Sequence, residues 1–144
     1  MDAHLKELIN DIFKMDPVER VAFGQLAVKK IVQGFSAGGL DARRINIALT
    51  NFVRLFVSAD RNCVNDEWSY FKAVTGTDIS TEEFYNKTNG GADPQFVEAC
   101  MEFIDILTPE DRQAVALFCA AFLACDENIT ESEYNLLERI YYKK

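Results

Sequence analysis

The amino-acid sequence predicts an all-α fold: a single helical domain of seven or eight helices with an internal pseudo-twofold helix–corner–helix repeat. Apolar residues recur at helical spacing along most of the 144 residues, and no stretch alternates as a strand does. A shift of 66 residues also places the segment 52–71 on the segment 118–137. One such unit cannot bury its own apolar stripe, so the two copies are expected to pack on each other around one core.

The first two helices are marked by clear start and stop signals. Apolar spacing predicts a first helix over about 3–13. Asp16, Pro17 and Glu19 supply the cap, first-turn proline and acidic first turn of a second helix, which the run 36–39 (Ser-Ala-Gly-Gly) ends. The second helix is expected to direct its apolar residues toward the core, namely Val18, Val21, Ala22, Leu26, Ile31 and Val32.

The third and fourth helices flank the first corner. Asp41 is the predicted cap of the third helix. The fourth begins less regularly, because Val64 occupies the position of a capping residue and has no side-chain oxygen. Asn65 or Asp66 is therefore the predicted cap, and the helix should end near 75–76, where Thr is followed by Gly.

The connector and the second copy carry four further helix starts. The segment 78–83 is a capping signature for a short fifth helix, which Asn-Gly-Gly at 89–91 should end. Asp-Pro at 93–94 and Thr-Pro at 108–109 begin the sixth and seventh helices. Thr130 begins the eighth through a capping box with the Glu three residues later.

Charge and composition bound the class of protein. The net charge of −8 argues against nucleic-acid binding and against attraction to anionic membrane surfaces. The N-terminal stretch is an amphipathic helix instead of a signal peptide, and the most apolar run, 114–125, is too short to span a membrane. The cysteines show no CxxC spacing and are expected to be core residues in a reducing cytoplasm; they are Cys63, Cys100, Cys119 and Cys125.

The two acidic corners are the candidate metal sites. Oxygen ligands close together on a turn are what Ca²⁺ or Mg²⁺ requires, and the candidates are Asp60, Asn62, Glu67, Asp126, Asn128 and Glu133. The spacing differs from an EF-hand, because Glu arrives at position eight of each corner instead of position twelve. The same residues also have a structural interpretation, in which Asp fastens the corner and Glu closes a capping box.

Other functional signals in the sequence are weak. The single His, His4, lies on the first helix without a catalytic partner in the sequence, and the glycine pairs at 38–39 and 90–91 lack the Lys of a phosphate loop. No catalytic or cofactor-binding residue is therefore predicted. Trp68 and Tyr134 are equivalent in the two copies, and they either line a surface groove or fill the junction between the copies.

The corner pattern also points to a family. Its residues are Ala124, Cys125, Asp126, Ile129, Thr130 and Glu133 in the second copy, with Ser58, Ala59, Asp60, Cys63 and Glu67 in the first. An Ala-rich helix followed by Asp, an apolar residue, Ser or Thr and then Glu resembles the TerB-like family of tellurite-resistance proteins. Many members carry Gly after the Asp, where this chain has Arg61 and Glu127. The resemblance covers roughly 44–75 and 108–142.

The resemblance implies a stress-response accessory protein linked to tellurite and other toxic insults. Such proteins look like docking modules, some with a metal role and some near the membrane. We therefore expect a non-enzymatic, cytoplasmic module, monomeric or homodimeric, that binds an unidentified protein and no nucleic acid. A divalent cation at the corners and a peripheral membrane association are compatible with this prediction. The alternative is an Mg²⁺-dependent hydrolase, which would need the acidic corner residues to converge on one pocket.

Overall fold

The computed structural model describes residues 3–57, 64–89, 93–126 and 129–142. Within these ranges the chain forms eight α-helices and one short 3-10 helix, with no strand, so the predicted all-α fold is confirmed. The helices are α1 (Ala3–Lys14), α2 (Pro17–Ala37), α3 (Ala42–Arg54), α4 (Val64–Thr75), α5 (Thr81–Thr88), α6 (Pro94–Asp105), α7 (Pro109–Leu123) and α8 (Glu131–Tyr141), and the 3-10 helix is η1 (Ala124–Asp126).

Side-chain caps hold the helix starts that the sequence predicts. At α2 the Glu19 N–H donates to Asp16 Oδ1 at 2.8 Å, and the Asp16 N–H donates to Glu19 Oε1 at 3.1 Å. Thr130 and Glu133 form the same reciprocal pair at α8. Single caps begin four more helices; the capping residues are Asp41, Ser80, Asp93 and Thr108. These contacts supply acceptors for amides that have no partner inside the helix.

The predicted cap of α4 is wrong. Asn65 and Asp66 both lie inside the first turn of the helix, which begins at Val64. A capping residue needs extended backbone, and both residues are helical, so neither can cap. The position that precedes Val64 lies outside the described residues.

The core is organised around α7. From Ala114 to Leu123 its residues are buried, apart from the half-buried Leu117, because α1, α2, α3, α4 and α8 all pack against it. This position explains the long apolar run of the sequence at 114–125. The buried apolar side chains of the described residues form one connected cluster.

The orientation of α2 differs from the prediction. Val18 and Leu26 are 79% and 68% exposed, and Val32 is also exposed. Ile31 is buried as predicted, and the buried face of α2 consists of Gly24, Ala27, Val28, Ile31 and Phe35. At Gly24 a small residue is required because α4 approaches α2 closely: a Cβ atom there would lie 2.5 Å from Tyr70 Oη. At this position the close approach of α4 side chains, and not hydrophobicity, decides which residue is buried.

Burial follows the 66-residue repeat. Equivalent residues are buried in both copies at Phe52 and Phe118, Val53 and Cys119, Phe56 and Phe122, Phe71 and Leu137, and Val74 and Ile140. The copies also contact each other, since the Tyr70 hydroxyl donates to the Phe118 carbonyl at 3.0 Å. The packing inside each copy differs, however. Helix α8 packs directly on α7, whereas α5 packs against both α3 and α4.

Candidate functional site

The helix ends that flank the two corners meet. Helix η1, which follows α7, packs against α4, and the Cys125 thiol lies 3.8 Å from the backbone oxygen of Asp66 in the first turn of α4. One corner immediately follows Cys125 and the other precedes α4. The contact therefore places the neighbourhoods of both corners on the same part of the molecule.

The predicted metal ligands are only partly described. Asp60, Asn62, Asn128 and the side chain of Asp126 lie outside the described residues. Glu67 is buried in the first turn of α4, and Glu133 Oε1 accepts the Thr130 N–H at 2.9 Å. Among the side chains that the structure describes, no three His, Cys, Asp or Glu residues are grouped so as to hold a metal ion. The capping role of Glu133 is confirmed, and the cation stays a prediction.

A groove runs beside these helix ends, between the first turns of α2 and the outer face of α4. Its volume is about 610 Å³, within the range of about 300–1,000 Å³ that is typical of ligand pockets. We call it the α2–α4 groove and define it by Val18, Arg20, Val21, Asp66, Tyr70 and Ala73. Cys125, which precedes the second corner in the sequence, also lines the groove.

The groove combines an apolar wall with a buried donor. Val18, Val21 and Ala73 supply the apolar surface, and Val18 is largely exposed. The Arg20 Nε atom is buried and has no acceptor among the residues that the structure describes. Such a donor destabilises a folded chain by about 1–3 kcal/mol. A bound partner would relieve this cost if its binding shifted the Arg20 side chain so that Nε met an oxygen atom of the partner.

The walls of the groove are held in place by contacts across α2 and α4. The Gln25 side-chain amide donates to the Ala73 carbonyl at 3.2 Å, and Tyr70 is anchored to Phe118 as described above. Burial raises the pKa of Tyr70 well above its ordinary value, so its hydroxyl stays a neutral donor. The groove is therefore formed before any partner arrives, which lowers the entropic cost of binding.

The aromatic residues and the histidine that the sequence singled out have other roles. Tyr134 is buried, and the half-buried Trp68 donates its Nε1–H to the Ile79 carbonyl at 2.8 Å. This placement favours the interpretation in which the two aromatics fill space and fix neighbouring segments. His4 is exposed, and its ring lies edge-on to the Tyr141 ring with 6.5 Å between the ring centroids.

The described cysteines behave as core residues where they are buried. Burial raises the pKa of both the Cys100 and Cys119 thiols, so they stay protonated at neutral pH. The Cys119 thiol lies 3.8 Å from the Phe52 carbonyl. Cys125 is only half-buried, and Cys63 lies outside the described residues.

Sequence reasoning missed Arg20 and the groove. The signal that could have found the groove is the small-residue spacing of Gly24 and Ala27 on α2, which is typical of a helix that a neighbour approaches closely. No local signal marks Arg20, because its burial depends on α4, which lies more than forty positions further along the chain.

The fold and the groove together define an all-helical protein with a preformed surface groove beside α4 and the end of η1. Comparison of the chain with models of known protein families, with curated proteins and with solved structures gives no match. In the described part of the chain, no helix is both long enough and apolar enough to cross a membrane. The TerB-like resemblance stays a prediction from the corner residues.

Proposed function

We propose that this chain is a non-enzymatic docking module that binds a segment of a partner protein in the α2–α4 groove. One observation carries the proposal: the buried Arg20 Nε–H lacks an acceptor among the described residues, beside the exposed apolar Val18 in a preformed groove. The TerB-like resemblance of the sequence supports the same class of function, since proteins of that family look like docking modules.

The groove and the net charge describe the partner. A short apolar side chain would pack on Val18, Val21 and Ala73, and a neighbouring carbonyl or carboxylate oxygen would accept from Arg20. The net charge of −8 favours a segment with Lys or Arg on its flanks, because opposite charge speeds association and orients the encounter. An amphipathic helix laid in a groove satisfies these demands.

An unbiased peptide selection tests the proposal. A phage-displayed library of helical peptides is selected on the wild-type protein at low ionic strength. The enriched peptides are expected to carry an apolar anchor with basic flanks and to lose binding to the Val18→Asp and Arg20→Gln variants. Ile106→Asp is the matched control, because Ile106 has the same exposure as Val18 and does not line the groove. Enriched peptides that bind Val18→Asp as tightly as wild type would refute the proposal.

A divalent cation held by residues of the two acidic corners forms the second part of this proposal. In this proposal oxygen ligands from both corners share one ion, and the contact between Cys125 and Asp66 in the flanking segments supports it. Titration with Ca²⁺ or Mg²⁺ is then expected to raise the melting temperature through preferential binding to the folded state. An unchanged melting temperature at saturating cation would remove this part and leave peptide docking intact.

The alternative function is an Mg²⁺-dependent hydrolase that uses the acidic corner residues. The observation that favours it is the extension of the α2–α4 groove to Cys125, next to the second corner. Mg²⁺-dependent hydrolysis of p-nitrophenyl phosphate or p-nitrophenyl acetate that Asp126→Asn abolishes would support the hydrolase. Turnover that is the same with and without Mg²⁺, or in the variant, would exclude it for these ester classes.

A further inference from the structure

A second cavity of about 540 Å³ lies between α3, α5 and the segment that joins α4 to α5. It shares no lining residue with the α2–α4 groove. A function of this cavity would therefore be independent of the proposed docking function. We call it the α3–α5 cavity and define it by Arg43, Asn46, Asn51, Phe71, Ile79 and Lys87.

The charged side chains that line this cavity are cationic. Arg43 on α3 and Lys87 on α5 both line it, and no Asp or Glu does so among the described residues. Neither cation is paired with an acidic residue of the described chain. Glu83, one turn before Lys87 on α5, accepts a hydrogen bond from the Ser80 hydroxyl at 3.4 Å instead. In a protein with a net charge of −8, a rim with only positive charge marks a place where an anion is favoured.

Uncharged donors continue the rim into the cavity. The side-chain amides of Asn46 and Asn51 make no hydrogen bond to a described residue, and neither does the Thr77 hydroxyl. The Thr50 hydroxyl, which also lines the cavity, donates to the Asn46 backbone oxygen at 2.9 Å. Amide and hydroxyl donors beside Arg and Lys form the set that holds carboxylate or phosphate oxygens.

The floor of the cavity is apolar and firmly held. Phe71 and Ile79 are both buried, and the Phe71 ring packs on the Phe84 ring at 5.3 Å. The Ile79 carbonyl accepts the Trp68 Nε1–H at 2.8 Å, which fixes the segment between α4 and α5. A rigid apolar floor below a ring of donors is the usual composition of a small-molecule site.

We propose that the α3–α5 cavity binds a small organic anion, in which a carboxylate or phosphate group is joined to an aromatic or short acyl body. Arg43 and Lys87 hold the oxyanion, with Asn46 and Asn51 as additional donors. The apolar body rests on Phe71 and Ile79. Both cations contact the ligand from different helices, so binding also ties α5 to α3.

Four probes test the proposal on the full chain by calorimetry and backbone amide NMR at low ionic strength. Phenyl phosphate and phenylacetate carry the anion and the ring, phenylacetamide is the neutral analogue, and inorganic phosphate lacks the ring. The two organic anions are expected to shift the amides of Asn46, Thr77 and Lys87. The neutral amide should bind at least about tenfold more weakly, since it cannot form charge-assisted bonds. The relative affinity of the two organic anions identifies the preferred head group.

Matched charge variants decide whether these cations are responsible. The double variant Arg43→Gln/Lys87→Gln is expected to lower the affinity for the more tightly bound organic anion by about tenfold or more. Lys6→Gln/Lys14→Gln changes the net charge equally on α1, away from the cavity, and should leave the affinity unchanged. Both residues of the test pair are exposed, so folding is expected to survive, and unfolding midpoints check this. Equal affinity of both double variants, phenylacetamide binding as tight as phenylacetate, or no binding of either organic anion would overturn the proposal.

Discussion

Arg112 fastens the ends of two helices inside the core, and its removal is expected to destabilise the fold strongly. The side chain lies in the first turn of α7 and is 1% exposed. Its Nη1 donates to the Ile104 carbonyl at 3.2 Å and to Asp105 Oδ1 at 3.1 Å. Its Nη2 donates to the carbonyls of Arg139 at 3.0 Å and Tyr142 at 3.3 Å. One guanidinium thus serves carbonyls at the C-terminal ends of both α6 and α8, where helices lack internal partners.

The magnitude of the loss follows from these contacts. A hydrogen bond from a charged group contributes about 1.5–3 kcal/mol, and Arg112→Ala deletes three such bonds to backbone oxygens. The Asp105 ion pair adds little, because that carboxylate side chain is 52% exposed. Bonds from one guanidinium are not additive, and burying the charge is itself costly. The expected net loss is therefore about 3–5 kcal/mol, a large part of the stability of about 5–15 kcal/mol that is typical of a domain.

Urea unfolding followed by far-UV circular dichroism measures this loss. Arg139→Ala is the matched control. Its side chain is 45% exposed and pairs with Glu98 at 3.4 Å, so a loss below about 1 kcal/mol is expected. The loss of stability for Arg112→Lys should fall between those of the two alanine variants, because one ammonium group cannot reach both helix ends as the planar guanidinium does. A loss for Arg112→Ala no greater than that for Arg139→Ala would refute the fastening role.

Three further predictions concern packing, capping and pH. Gly24→Ala is expected to lower the unfolding free energy by about 1–3 kcal/mol, because its Cβ would clash with the anchored Tyr70 hydroxyl. Gly38→Ala is the control and should have little effect, since its Cβ would lie 3.5 Å from the Phe35 carbonyl oxygen. Thr130→Ala removes the α8 capping box and is expected to lower the free energy of unfolding in urea by about 1 kcal/mol. An unchanged urea midpoint would contradict this prediction. Burial raises the pKa of Cys119 above its ordinary value of 9.0, so the folded state keeps a proton that the unfolded state releases. The contribution of this thiol to the free energy of unfolding is present below about pH 9 and declines as the pH rises further. The decline of the unfolding free energy with pH should be shallower in Cys119→Ala.

Local signals predicted most helix boundaries. Asp16 and Glu19, like Thr130 and Glu133, interact across three residues, so their pairing needs no knowledge of the tertiary structure. The failure at α4 has the same origin. The pattern around Val64 offered no capping oxygen, and a prediction based on the nearest polar residue placed the cap inside the helix.

Burial along α2 could not be predicted in this way. The helix has apolar residues on more than one face, and its local pattern does not identify the face that α4 and α7 will cover. The structure buries Gly24 and Ala27 and leaves Val18 and Leu26 in solvent. Hydrophobicity alone predicted that Val18 lies in the core. In the structure it is exposed and lines the α2–α4 groove.

The amino-acid sequence by itself determined the helical class, most of the helix starts and the matching burial of the two copies, because these follow from contacts within a few residues and from a repeated apolar pattern. The tertiary structure alone decided that the ends flanking the corners meet, that Arg112 joins α6 to α8, and that two cavities open beside α4 and α5. These features depend on which helices come together across many intervening residues. The cost of burying a polar group and the need for close packing then select one arrangement of the helices. That arrangement cannot be read from any short stretch of the sequence.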